Sequence, residues 1–264
     1  MTRQLLCVLA LSYACGVSVL APSVSRAAES AQQIARVGFV GPASPHTLRS
    51  VSAFWERLRE LGYVEGQNLV IESRWAEGQY ERLPALMAEV VGQKVDVLVT
   101  YSTPAALAAK KATSTTPIVA AALGDPVGVG LVSSLAHPAG NLTGLSTGWT
   151  EGITAKWLEL LREAAPRLTT VAVIENPDNP VVRDQVKELQ AVARTQNLRL
   201  RLIEVRETGA LDHAFEQAGQ KAQGSLVLPD PIITSLRGQL VALAAKHRLP
   251  TIYYLRDFVD AGGG

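Results

Sequence analysis

The chain has 264 residues, 47% of them hydrophobic and 19% charged, with a formal net charge of +1. That length holds one large domain or two ordinary α/β lobes, and that composition argues for a packed core rather than disorder. Near-neutral charge, without a Lys/Arg cluster interleaved with aromatics, leaves no footprint for nucleic acid.

The first residues stand apart. Arg3 precedes an uncharged apolar run, Leu5 to Ala21, and Ser25 and Ala27 are small residues at −3 and −1 of a cut before Ala28. This is the three-part design of a secretory signal peptide over residues 1–27. An uncleaved anchor, or a lipoprotein site at Cys15, fits the same stretch less well. Both cysteines, Cys7 and Cys15, lie within it, so the mature chain is expected to carry no disulfide and to rely on its core. Removing Arg3 and Arg26 leaves the mature chain slightly acidic. No later run reaches membrane-span length, and the expected product is soluble and periplasmic.

From Ala35 onward, short β-branched runs alternate with amphipathic ones. "RVGFV" reads as a buried strand. "TLRSVSAFWERLRELG" reads as a helix ended by Gly62, with apolar residues at three- and four-residue steps. The rhythm continues through strands at "NLVIESRW", "VDVLVTY", "TPIVAAAL" and "NLTGLST" and helices at "ERLPALMAEVVGQ" and "TPAALAAKKATS"; "DPVGVGLVSSLAHPAG" is expected to hold a short helix among loops. It restarts with a helix at "EGITAKWLELLREAAP". Strands follow at "TTVAVIEN", "LRLRLIEV", "GSLVLP" and "PTIYYL", separated by helices. Continuous apolar strands separated by helices predict parallel sheets covered on both faces. About nine strands are too many for one flavodoxin-sized sheet. The fold expected is therefore α/β with two Rossmann-like lobes, residues 34–145 and 146–264. The chain stops on "AGGG", just after the start of another helix, which reads as a fragment of a longer protein.

In open parallel sheets, ligands bind outside the carboxyl ends of the strands. The residues to inspect are then Ser44 in "GPASPH", Ser102, Thr103 and Pro104, Asp125, Asn176, Asp178 and Asn179 in "NPDNP", Asp230 in "DPIITS", and the stretch from Tyr253 to Arg256. Thr103 suits an N-cap and Pro104 suits N1, and Asn179-Pro180 repeats the arrangement. Such helix starts aim backbone N–H groups at the sheet top, where an anion can sit. Each of them is equally what an ordinary helix start requires.

Sharper motifs mostly fail. "GLSTG" (Gly144 to Gly148) has the G-x-S-x-G form of a hydrolase elbow, with Asp178 or Asp230 and then His247 following in order. His247 falls in the last turn of a helix, though, where it complements the carbonyl end. Gly38 and Gly41 do not complete a dinucleotide fingerprint. His46, His137, His213 and His247 lack ligand spacing, so neither metal nor cofactor is expected.

Several long segments do match something known. "LRELGYVEGQNLVIESRWAEGQYERLPALMAEVV", "VDVLVTYSTPAALAAKKATSTTPIVAAALGDPVGVGLVSSLAHPAGNLTGLST", "VAVIENPDNP" and "PTIYYLRDFVDAGG" occur in order and resemble the ABC transporter substrate-binding family that includes the tryptophan/tyrosine-type binding proteins. The resemblance spans Ile34 to Gly263. It implies a type I periplasmic-binding fold whose lobes close on a small molecule, an ABC permease as partner, a monomer, and no catalysis. It makes Ser102, Thr103 and the helix start at Pro104 a cradle for a ligand carboxylate. Asp125, Asp178 or Asp230 would hold an ammonium group, and Tyr253 with Tyr254 would wall the pocket. An exported serine hydrolase built on Ser146, and a sensor domain using the same cleft, are the alternatives.

Overall fold

The computed structural model describes residues 34–45, 49–148, 152–207, 209, 211–219 and 222–263. The expected signal peptide with Cys7 and Cys15, and also His46, lie outside the described residues.

The first half is a parallel sheet of order β2-β1-β3-β4-β5. Its strands are β1 (Ala35–Gly41), β2 (Leu69–Trp75), β3 (Val97–Tyr101), β4 (Ile118–Leu123) and β5 (Leu142–Ser146). Helices α1 (Arg49–Glu60), α2 (Leu83–Gly92) and α3 (Thr103–Ala112) make the crossovers. Val37 and Phe39 pack with Val51 on one face, while Val40 and Leu98 pack with Met87, Ala105 and Ala109 on the other. Both faces are thus buried, which is why these strands read as unbroken apolar runs.

The second half repeats the plan with the order β7-β6-β8-β9. After α4 (Ile153–Ala164) come β6 (Thr170–Glu175), α5 (Pro180–Thr195), β7 (Arg199–Glu204), α6 (Leu211–Gly219) and β8 (Gly224–Val227). Then follow α7 (Pro231–Ser235), α8 (Arg237–Lys246), β9 (Thr251–Ile252) and α9 (Arg256–Asp260). All registered pairs in both sheets are parallel. In each sheet the order reverses beside the first strand, between β1 and β3 and between β6 and β8. That reversal opens a crevice at the carboxyl ends. Among the described residues, no helix is long and apolar enough to cross a membrane.

Three local expectations are corrected. The stretch from Asp125 to Gly140 forms turns and bends rather than a short helix. Gly130, Ala139 and Gly140 adopt positive φ there, and Lys110 on α3 donates to the carbonyls of Gly130 and Leu131. The helix expected from Thr234 begins earlier, as α7 at Pro231, because Asp230 accepts from the N–H groups of Ile232 (2.8 Å) and Ile233 (3.4 Å). The strand expected through "PTIYYL" ends at Ile252. Tyr253 stacks on Phe258 at 4.8 Å, and Tyr254 meets the same ring edge-on at 5.3 Å.

Candidate functional site

A cavity of about 420 Å³ lies where the carboxyl ends of the two sheets face each other. That volume suits a small organic molecule. The first half contributes Tyr101, Ser102, Thr103, Ala121, Ala122, Gly124 and Thr147. The second contributes Asn179, Val181, Pro229, Asp230, Pro231, Thr234, Tyr254, Leu255 and Asp257.

Ser102 is the most unusual residue in the lining. It joins β3 to α3 with φ 75° and ψ 155°, a backbone region that is essentially glycine's alone. It is 5% exposed, and its hydroxyl has no hydrogen-bond partner among the described residues. Backbone bonds hold it in place: its N–H donates to the Ala121 carbonyl at 2.9 Å, and its carbonyl accepts from Ala106 at 3.1 Å. Thr103 does not use its hydroxyl as an N-cap. Its Oγ1 accepts from the Gly124 N–H at 3.0 Å, tying the start of α3 to the end of β4. Pro104 sits at the helix start, as expected, and has no N–H to satisfy. The N–H groups of Thr103 and Ala105 have no acceptor within α3, at the positive end of the helix dipole, and Thr103 lines the cavity. Ala122 beside them also has positive φ, 52°, where β4 slips register against β5.

The opposite wall is a dense polar knot. Asp230 is 2% exposed and caps α7. Its Oδ2 accepts from the Tyr80 hydroxyl at 2.8 Å and from Asn179 Nδ2 at 3.1 Å. Burial pushes the Asp230 carboxyl up, and the hydrogen bonds pull against it, Tyr80 first and Asn179 next. Asn176 is turned toward the same carboxylate, though its Nδ2 makes no hydrogen bond of ordinary geometry. Tyr254 accepts from the Asp230 N–H at 3.2 Å and donates to its carbonyl at 3.0 Å. Burial drives the phenols of Tyr80 and Tyr254 well above the usual range, so both remain neutral donors.

Of the residues singled out in the sequence, Ser102, Thr103, Asn179, Asp230 and Tyr254 share this cavity. The others have different surroundings. Ser44 donates to Glu77, and Asp125 is exposed and accepts from the Gly128 N–H at 2.9 Å. Asp178 pairs with Arg206, and Asn176 turns its Oδ1 to the Asp178 N–H at 3.1 Å. Tyr253 is stacked on Phe258, and it is Tyr254 that lines the cavity. Sequence reasoning passed over Asp257. This residue lies in the first turn of α9 and lines the cavity half-buried, and among the described residues its carboxylate makes no hydrogen bond or ion pair. Its position directly after the last strand was the available signal.

The hydrolase geometry is not formed. Ser146 closes strand β5 rather than turning into a helix. Its hydroxyl donates to the Leu123 carbonyl at 3.2 Å and accepts from the Gly148 N–H at 3.2 Å. His247 stacks against Phe215 beyond the end of α8. Gly144 is required for a different reason: a Cβ there would stand 1.7 Å from the Ala120 carbonyl oxygen.

A family model describing ABC transporter substrate binding proteins matches residues 39–264. The chain belongs to that family. Among characterised relatives, the tyrosine-binding protein of Clostridioides difficile is 28% identical over 218 residues, which are 83% of this chain and 62% of that protein's length. The chain thus spans about three fifths of that relative. A Streptococcus pneumoniae ABC domain solved in complex with L-Trp superposes with a TM-score of 0.73 at 25% identity, over 87% of this chain and 77% of the other. A conserved domain protein from Vibrio cholerae gives 0.76 at 26% identity, with the same coverage. The two parallel sheets and these neighbours agree with the type I periplasmic-binding architecture that the sequence resemblance implied.

Proposed function

We propose that this family member is the solute-binding component of an ABC importer. It would be exported by its N-terminal segment, capture an aromatic amino acid between the two sheets, and hand it to a membrane permease. The observation that carries the reading is Ser102. A buried hydroxyl without a partner, on a backbone that only glycine adopts readily, costs stability in the free protein. Such a cost is expected where a ligand supplies the missing partner. A ligand carboxylate would accept from that hydroxyl and from the open N–H groups of α3, with Tyr101 and Tyr254 offering aromatic surface nearby. The L-Trp complex and the tyrosine-binding relative support an amino acid of this type.

The test is Ser102→Gly. Glycine adopts this backbone without strain, so the variant should be more stable by about 1 kcal/mol in urea unfolding. It should bind L-tryptophan or L-tyrosine about tenfold more weakly in calorimetry, having lost a hydrogen bond to a charged group. Unchanged affinity for both amino acids would overturn the carboxylate cradle.

A further inference from the structure

We infer that Asp257 selects for an ammonium group on the ligand, which makes the site specific for amino acids over simple carboxylic acids. This rests on the function proposed above and adds to it the residue that reads the second charge.

Among the described residues, the cavity lining carries two carboxylates, Asp230 and Asp257, and no Lys, Arg or His. Asp230 is already occupied by Tyr80, Asn179 and the start of α7. A ligand ammonium could approach it only by displacing one of these buried donors. Asp257 makes none of these bonds, and its basic neighbour Arg256 is directed to Asp260 at 3.6 Å instead. In the free protein, water solvates the half-buried Asp257 carboxylate. A ligand held over it removes that water, and a desolvated carboxylate is costly unless a cation replaces the water. An amine-bearing ligand meets this condition, and its des-amino analogue does not. An acid in the first turn of a helix is ordinary, and it accounts for an Asp at this position. It does not account for a carboxylate in the cavity lining that has no partner among the described residues.

The geometry also places the two poles on different halves. Ser102 and the start of α3 belong to the first sheet, and Asp257 follows the last strand of the second. A zwitterion therefore bonds to both halves at once, whereas a carboxylic acid bonds to one.

Calorimetry with two probe pairs tests this: L-tryptophan against 3-(indol-3-yl)propionate, and L-tyrosine against 3-(4-hydroxyphenyl)propionate. The wild-type protein should prefer each amino acid by about tenfold or more. Asp257→Asn should abolish most of that preference, by weakening the amino acid while leaving the des-amino acid equal or tighter. Asp257→Glu, which keeps the charge, should restore it. A purely structural Asp257 would instead lower the stability of Asp257→Asn with the preference intact, and that result overturns the inference. Equal binding of both members of a pair by the wild type overturns the inference alone. Failure of the wild type to bind either amino acid overturns both it and the function on which it rests.

Discussion

Glu175 illustrates how much a single side chain at a strand end can cost. It closes β6, is 4% exposed, and pairs across the sheet with Glu204. Burial, and then the Glu204 charge, push its carboxyl up to about 7 from an ordinary value of 4.5, against the opposing pull of Arg206. Between those two values the folded chain retains a proton that the unfolded chain has released. Stability therefore falls as pH rises through that window, and the penalty is complete above pH 7. Glu175→Gln removes the titration. The variant should be more stable than the wild type at pH 8 by about 2 kcal/mol, with the advantage shrinking toward pH 4.5. Urea unfolding at both pH values measures it, and an advantage that does not change with pH would exclude Glu175 as the source. Ser102 follows the same logic: at the carboxyl ends of β3 and β6 these two groups carry unmet or opposed interactions.

At the scale of elements, the contact between the end of β4 and the start of α5 decides how closely the halves approach. Gly124 follows β4, and Val181 lies in the first turn of α5, held there by the Asn179 cap. A Cβ on Gly124 would stand 2.9 Å from Val181 Cγ1 and 3.0 Å from Cγ2. A β-branched side chain at 9% exposure has no free rotamer into which to retreat. Gly124→Ala should therefore cost about 1–3 kcal/mol, divided between stability and ligand affinity. Adding Val181→Ala should recover most of it, since the two changes act on one contact. If the double variant merely sums the two single effects, the steric account fails. This contact also shows what the sequence could and could not disclose. The strands and long helices were legible because burial on both faces forces unbroken apolar runs in β1, β3 and β6 and 3.6-residue periodicity in α4 and α5. The start of α5 was legible from its Asn179 cap and that of α3 from Pro104, although the Thr103 hydroxyl does not cap it. The approach of Val181 to the cavity was not legible, because it depends on how the two sheets face each other. No local pattern encodes that placement. Nor could the sequence show that Asp230 is occupied: its partner Tyr80 lies 150 residues away.

For the molecule as a whole, Tyr80, itself outside the cavity lining, joins the two halves by a hydrogen bond to the lining residue Asp230. It opens a short 3₁₀ turn before α2 and packs against the first sheet's core, yet its hydroxyl reaches Asp230 at the start of α7. Gly78, just before it, lies close enough to Ile232 that an added Cβ would touch that side chain at 3.6 Å. Closure of two lobes on a ligand is a two-state equilibrium, and apparent affinity scales with the fraction of protein in the competent state. A hydrogen bond to a buried carboxylate that exists only when the halves meet adds directly to that fraction. Tyr80→Phe keeps the ring and its packing and removes only this bond. The expected result is a threefold to roughly thirtyfold loss of affinity for L-tryptophan or L-tyrosine, without loss of any ligand contact. Small-angle scattering should show a larger radius of gyration for the ligand-free variant than for the ligand-free wild type. The two should coincide once ligand saturates both. If Tyr80 is instead part of a static seam, the variant will be less stable in urea while affinity and scattering remain those of the wild type. That outcome would assign the bond to folding and leave closure to the ligand alone.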